Sequence, residues 1–244
     1  TIPFFKPSAD IIKPYALMDL DDTLFQTQRK IDAWQVPTAE PEHLVCATVN
    51  KQNEPLSFMS QRQATFFNWL LNSTELIVVT ARDRSEIKRV KLPFDSWQLL
   101  THGAIILTAD GQLLSAWQQH MHSKLAPLQD KLNQLSELFA SHSKSEQSHL
   151  VFTPHVDSFN NGSVNEELTI YLAIKHAQKD HQALVELAKK LPTLIRDFEQ
   201  DFYVHVNANN LAILPHAVHK RHAVQFLLDN HLDHQRPSFG FGDS

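Results

Sequence analysis

Tyr15-Ala16-Leu17-Met18-Asp19-Leu20-Asp21-Asp22-Thr23-Leu24 joins an apolar run to two carboxylates, Asp19 and Asp21, with a hydroxyl following at Thr23. Residues 15–19 read as a strand. Alternate residues of a strand share a face, so the run delivers both carboxylates to the strand's C-terminal end. Open α/β sheets bind their ligands at that end. Two acids there suit one reaction type, in which one carboxylate attacks and the other shuttles a proton. Read alone, the same residues also suit a turn after a buried strand, with Asp and Thr capping the next helix. A D-x-D-x-T arises by chance in roughly one chain in twenty of this length. The rest of the chain therefore has to supply partners in a sensible order.

Outward from that run, Leu44–Val49 and Pro55–Phe58 flank the polar Asn50-Lys51-Gln52-Asn53-Glu54 and read as a β-hairpin. Ser60 caps a helix whose apolar Phe66, Phe67, Trp69 and Leu70 are expected on one side. Leu76-Ile77-Val78-Val79-Thr80 is a β-branched run of the kind buried in parallel sheets. Residues 84–90 read as a short helix, 97–104 as a strand and 109–112 as a tight turn. Alternating strand and helix means a parallel sheet, hence an α/β fold.

From about Ser115 to Pro215 the pattern changes. A long helix is expected over 117–142, with Leu125, Leu128, Leu132, Leu135 and Leu138. Strands follow at 150–152 and 168–172, then a helix at 180–191 and two strands at 201–206 and 210–214, with Asn209-Asn210 as the turn between them. This is an α+β unit inserted in the α/β domain. The α/β pattern resumes with a helix at 219–230 and Pro237-Ser238-Phe239-Gly240-Phe241-Gly242-Asp243. The expected division is therefore a core of 1–114 and 216–244 and an insertion of 115–215.

Composition narrows the function. The 244 residues can bury a sizeable core, and 42% hydrophobic with 20% charged residues is ordinary for a globular protein. A net charge of −5 argues against nucleic acid as a partner, since that affinity rests on clustered Lys and Arg. The single cysteine, Cys46, excludes an internal disulfide framework and fits a reducing, cytoplasmic setting. No apolar run approaches the ~20 residues of a membrane span, and Thr1-Ile2-Pro3-Phe4-Phe5 lacks the form of a signal peptide. None of the fifteen histidines forms HExxH, and the spacings His120/His122 and His216/His219/His222 fit no tight zinc set.

Four motifs occur in order: Asp19-Leu20-Asp21-Asp22-Thr23, Val79-Thr80-Ala81-Arg82, His219-Lys220-Arg221 and Gly242-Asp243-Ser244. In this ordered set the chain resembles the haloacid-dehalogenase superfamily of phosphohydrolases. His102-Gly103-Ala104 is similar to the Asn-Gly-Ala strand that its sugar-phosphatase-like members carry before an inserted cap, and residues 115–215 look like that cap. The resemblance implies a Rossmann-like core and Mg²⁺-dependent hydrolysis of a small phosphorylated metabolite, a sugar phosphate above all. It implies that Asp19 is the nucleophile and Asp21 the acid and base. Thr23 then positions Asp21 or the turn, and Thr80, Arg82 and Lys220 bind substrate. Asp19, Asp243 and the backbone carbonyl of Asp21 hold the metal.

Arg82 could equally pair with an acid. The hairpin at 44–58 lengthens the stretch between Asp19 and Thr80 and suggests a flap or an association surface. The sequence stops at Ser244, inside the fourth motif, so further residues are expected beyond it. A rival from another class keeps the fold but binds a phosphorylated ligand or a protein partner without turnover.

Overall fold

The computed structural model describes residues 3–34, 43–143 and 149–243; Thr1 and Ile2 at one end and Ser244 at the other lie outside them. In chain order it contains β1 (Tyr15–Met18), β2 (Gln26–Thr27), α1 (Gln28–Trp34), β3 (Val45–Val49), β4 (Pro55–Met59), α2 (Gln61–Ser73), β5 (Glu75–Val79), α3 (Arg84–Ile87), β6 (Gln98–Leu100) and β7 (Ile105–Leu107). There follow α4 (Ser115–Leu125), α5 (Gln129–Ser143), β8 (Leu150–Asn160), β9 (Asn165–His176), α6 (His181–Lys190), α7 (Phe198–Asp201), β10 (Phe202–Asn207), β11 (Asn210–Pro215), α8 (Lys220–Asn230) and β12 (Ser238–Phe241). The chain divides into two compact units. The first runs to Gly103 and takes in Leu107–Gln112 and the chain from Ala223; the second comprises Ala104–Ile106 and Leu113–His222.

The first unit is built on the neighbouring strands β12-β1-β5-β6. β1 runs parallel to both neighbours, with Met18 opposite Phe241 on one side and Val78 on the other. A strand paired on both sides and covered on both faces needs apolar residues throughout, which is why Ala16, Met18, Ile77 and Val78 are fully buried. The chain moves from β1 toward β5 and β6, and only at its end returns to β12 on the opposite flank. β1 and β12 therefore bracket the switch point of the sheet, where such folds open a crevice at the carboxyl ends of their strands.

α2 begins with a capping box: Ser60 accepts from the Gln63 N–H while the Gln63 side chain accepts from the Ser60 N–H. Phe67 and Leu70 bury against Ala16, Met18, Leu76 and Val78. Trp69 departs from the expected single apolar face. At 100° per residue it points about 160° away from Phe67, and it is half exposed, with its ring on Phe66.

The hairpin of β3 and β4 takes up β2 as a third strand, in the order β2-β4-β3. Ala47 and Met59 bring it into the same core as β1, and reciprocal amide bonds between Gln26 and Gln63 tie β2 to α2.

The second unit is an antiparallel sheet of order β10-β11-β9-β8 packed on α5 and α6. Its core includes Leu132, Leu135, Leu172, Ile174, Leu184, Leu211 and Ile213. Four expectations for this region and its approach are corrected. The helix expected over 117–142 is two helices, because Pro127 lacks an N–H and clashes with the preceding turn; Ala126–Leu128 forms a tighter turn between them. The strand expected at 150–152 extends to Asn160 despite Pro154, since β8 is an edge strand and a proline there interrupts no ladder on its open side. The turn after β10 is Ala208–Asn209 rather than Asn209-Asn210, because Asn207 pairs with Asn210. The strand expected over 97–104 stops at Leu100, where three consecutive residues take positive φ. No helix among the described residues is long and apolar enough to cross a membrane.

Candidate active site

Asp19 follows directly on β1. Its N–H donates to the Phe241 carbonyl at 3.0 Å, continuing the β1–β12 ladder, and its Oδ1 accepts from the Leu20 N–H at 2.9 Å. The chain then folds tightly around one carbonyl: Leu20 O accepts from the N–H groups of Thr23, Leu24 and Phe25. Leu20, Leu24 and Phe25 are fully buried, so apolar anchors fix the polar residues between them. Asp22 tolerates a φ of 60°, as short polar side chains do, and its N–H donates to Phe25 O at 2.8 Å. Its carboxylate pairs with Lys30.

Thr80 sits at the matching end of β5. Met18 lies opposite Val78, so Asp19 and Thr80 leave adjacent parallel strands at their carboxyl ends. Thr80 is buried, and its Oγ1 accepts from the Arg82 N–H at 3.2 Å, which leaves the hydroxyl hydrogen as a donor. Asp243 lies two residues past Phe241, the partner of Met18, so register brings it to the same edge from the other side.

Arg82 closes this group. Its Nε donates to Asp21 Oδ2 at 2.7 Å and its Nη2 to Asp21 Oδ1 at 2.8 Å. The guanidinium lies over the Phe25 ring, 5.5 Å from its centroid. Burial opposes its charge most strongly, yet the hydrogen bond and charge of Asp21, with Glu86 and Asp83 adding to them, outweigh it and raise its pKa further.

The Thr23 hydroxyl is buried without a hydrogen-bond partner, and it is the Thr23 N–H that serves the turn. Lys220, the first residue of α8, belongs to the second unit, so its place in the site rests on its motif. Asp19, Asp21, Thr80, Arg82 and Asp243 all belong to the first unit and gather at one edge of its sheet. Lys30 and Phe25 were not foreseen: nothing in their spacing marks a cation for Asp22 or a ring beneath Arg82.

Asp19, Asp21, Asp22 and Asp243 against Arg82 and Lys30 leave this edge net negative, a setting that favours a cation. No group of three His, Cys, Asp or Glu side chains among the described residues is arranged to hold a metal. Two carboxylates and a backbone carbonyl are nonetheless a hard-oxygen set that suits Mg²⁺, which keeps several waters of its own.

Among solved structures, the chain matches a haloacid dehalogenase-like hydrolase from Bacteroides thetaiotaomicron with a TM-score of 0.53 and 14% identity, covering 95% of this chain and 82% of that one. The fold is the haloacid-dehalogenase-like one. The chain also matches the C-terminal domain of trehalose-6-phosphate phosphatase from C. albicans, at a TM-score of 0.51 and 16% identity over 94% of this chain and 69% of that one. A protein from Streptococcus mutans UA159 matches at 0.50 and 11% identity over 96% and 82%. No family model and no curated protein matches the sequence.

Proposed function

We propose that the protein is a phosphomonoester hydrolase acting on a small phosphorylated metabolite, a sugar phosphate, through an aspartyl-phosphate on Asp19. The observation that carries this reading is the shared edge: Asp19 and Asp21 beyond β1, Thr80 beyond β5 and Asp243 beyond β12, at the switch point of a parallel sheet. The match to trehalose-6-phosphate phosphatase supports the substrate class. A single cysteine fits a cytoplasmic setting.

The chemistry follows from the groups present. An Asp19 oxygen attacks phosphorus and the ester P–O bond breaks, while Asp21 gives its proton to the departing alkoxide. Asp21 then takes a proton from water, the water oxygen attacks phosphorus, and the bond to Asp19 breaks to release phosphate. A carboxylate meeting a phosphate dianion at ~4 Å in an effective dielectric of ~20 is repelled by roughly 8 kcal/mol. Mg²⁺, held by Asp19, Asp243 and the Asp21 carbonyl, would supply the positive charge that offsets this repulsion. The Thr80 hydroxyl donates to a phosphoryl oxygen, and Lys220, assigned by its motif, adds a fixed positive charge.

Hydrolysis of para-nitrophenyl phosphate, with and without Mg²⁺, tests the reading. The wild type turns over with Mg²⁺ and stops when the metal is chelated, and Asp19→Asn loses at least about 10³-fold in kcat. Substantial turnover by Asp19→Asn would refute the assignment. No turnover by the wild type with Mg²⁺ would move the reading to a module that binds a phosphorylated ligand without hydrolysing it.

A further inference from the structure

We propose that Arg82 is the positioning residue of the acid and base Asp21 and does not bind the phosphoryl group. The inference rests on the hydrolase reading and goes beyond it in reassigning Arg82. Nε and Nη2 each take one oxygen of Asp21, at 2.7 and 2.8 Å. This planar two-point contact fixes both the distance and the plane of the carboxylate. An exposed ion pair contributes little, but here the partners differ: the Arg82 side chain is 14% exposed and that of Asp21 49%. The cation is the anchored member and the carboxylate the one that faces solvent.

The anchoring is built into the backbone. The Arg82 N–H donates to Thr80 Oγ1 at 3.2 Å, and its carbonyl accepts from the Thr101 N–H at 2.8 Å. The next residue, Asp83, opens α3 with a capping box, accepting from the Ser85 and Glu86 N–H groups. Phe25, buried in the turn that carries Asp21, lies under the guanidinium. Arg82 is thus held by β5, the β6 end and α3, and transmits their rigidity to Asp21. A carboxylate offers about four lone-pair sites, so two donors from one side leave sites for the leaving oxygen or the attacking water. Pairing and proton transfer are compatible.

A phosphoryl-binding arginine and a positioning arginine differ in what their loss changes. Losing a phosphate contact weakens ground-state binding, whereas losing the aim of Asp21 lowers kcat. The test compares wild type, Arg82→Ala and Arg82→Lys in Mg²⁺ buffer, on para-nitrophenyl phosphate and on an alkyl phosphate, with inhibition by inorganic phosphate measured in each. For Arg82→Ala the expected result is a kcat lower by about 10²-fold on the alkyl phosphate, whose poor leaving group needs the proton. The loss is smaller on para-nitrophenyl phosphate, the phosphate inhibition constant changes by less than about threefold, and added guanidinium ion restores part of kcat. Arg82→Lys, with a point charge in place of the fork, recovers only part of kcat and decides the matter if the alanine variant does not fold. A raised KM and phosphate inhibition constant with kcat intact would overturn the proposal, as would an unchanged enzyme. In both cases Asp19-dependent turnover by the wild type leaves the hydrolase reading standing. Absence of that turnover removes both.

Discussion

Thr101 and His102 carry φ values of 53° and 55° and are followed by Gly103 at 91°, so the chain leaves β6 through three left-handed residues. Side-chain-bearing residues pay roughly 1–2 kcal/mol for that conformation, least when short and polar. The return is visible in two bonds: Thr101 N–H to Arg82 O at 2.8 Å and His102 N–H to Thr80 O at 3.2 Å. The strained turn thereby fixes the backbone of the residues that present the Thr80 hydroxyl and the Arg82 guanidinium. His102→Val, adding a β-branch at a left-handed position, should destabilise the protein by roughly 1–2 kcal/mol more than His102→Gly, read from urea unfolding midpoints. Residues of this kind are where the sequence reads least. The strand-end positions of Asp19, Thr80 and Asp243 were legible because each lies just past an apolar run. The alternatives left open at Arg82 needed coordinates, because a guanidinium beside a threonine has no spacing that distinguishes a phosphate from a carboxylate sixty-one residues away. The positive φ at Thr101 was hidden because a β-branched threonine does not mark a left-handed turn.

Helices and strands were legible where a local signal and burial agree. Ser60 with Gln63 announces the start of α2, and the two reciprocal bonds are present. Ser60→Ala should destabilise by about 1 kcal/mol, through loss of the acceptor for the Gln63 N–H, and thermal or urea unfolding will read it. Elements were misjudged where one residue counted too little or too much. Pro127 splits the long helix at a place its leucine spacing carries through. Pro154 leaves β8 intact because the strand's place at the sheet edge, which no local pattern announces, makes a missing N–H harmless. The stretch from β10 to α8 also holds a titration effect. Burial first, and then the positive charges of Arg221, His222, Lys220 and His205, hold the His219 imidazole below the ordinary histidine range. Between about 6.5 and that lowered value the unfolded chain binds the proton more readily than the folded one, so stability falls as pH drops through this window. His219→Gln should flatten the fall of melting temperature between about pH 7 and 5 relative to wild type. An unchanged slope would assign the acid sensitivity to other groups.

At the scale of the whole molecule, two units each close their own core. The first packs Ala16, Met18, Leu76 and Val78 with α2, and the second packs Leu132, Leu135, Leu172 and Ile213. Leu135→Ala, at a fully buried position, should lower the stability of the second unit by about 2–5 kcal/mol, seen as an earlier transition in urea. The class of fold was legible because strand and helix alternate around an inserted antiparallel stretch, and it is the fold of the solved structures matched at 11–16% identity. Its details were not, since the length of β8 and the third strand beside the 44–58 hairpin depend on pairing partners distant in sequence. The central claim concerns a bond rather than a fold: that a phosphoryl group passes through Asp19. Brief incubation with a phosphate monoester and Mg²⁺, acid quenching and mass spectrometry of the peptide containing Asp19 would observe it directly. A hydroxylamine-sensitive phosphoryl adduct on Asp19, absent from Asp19→Asn, is the expected result. Turnover without such an adduct, or with the adduct on another residue, would contradict passage through Asp19.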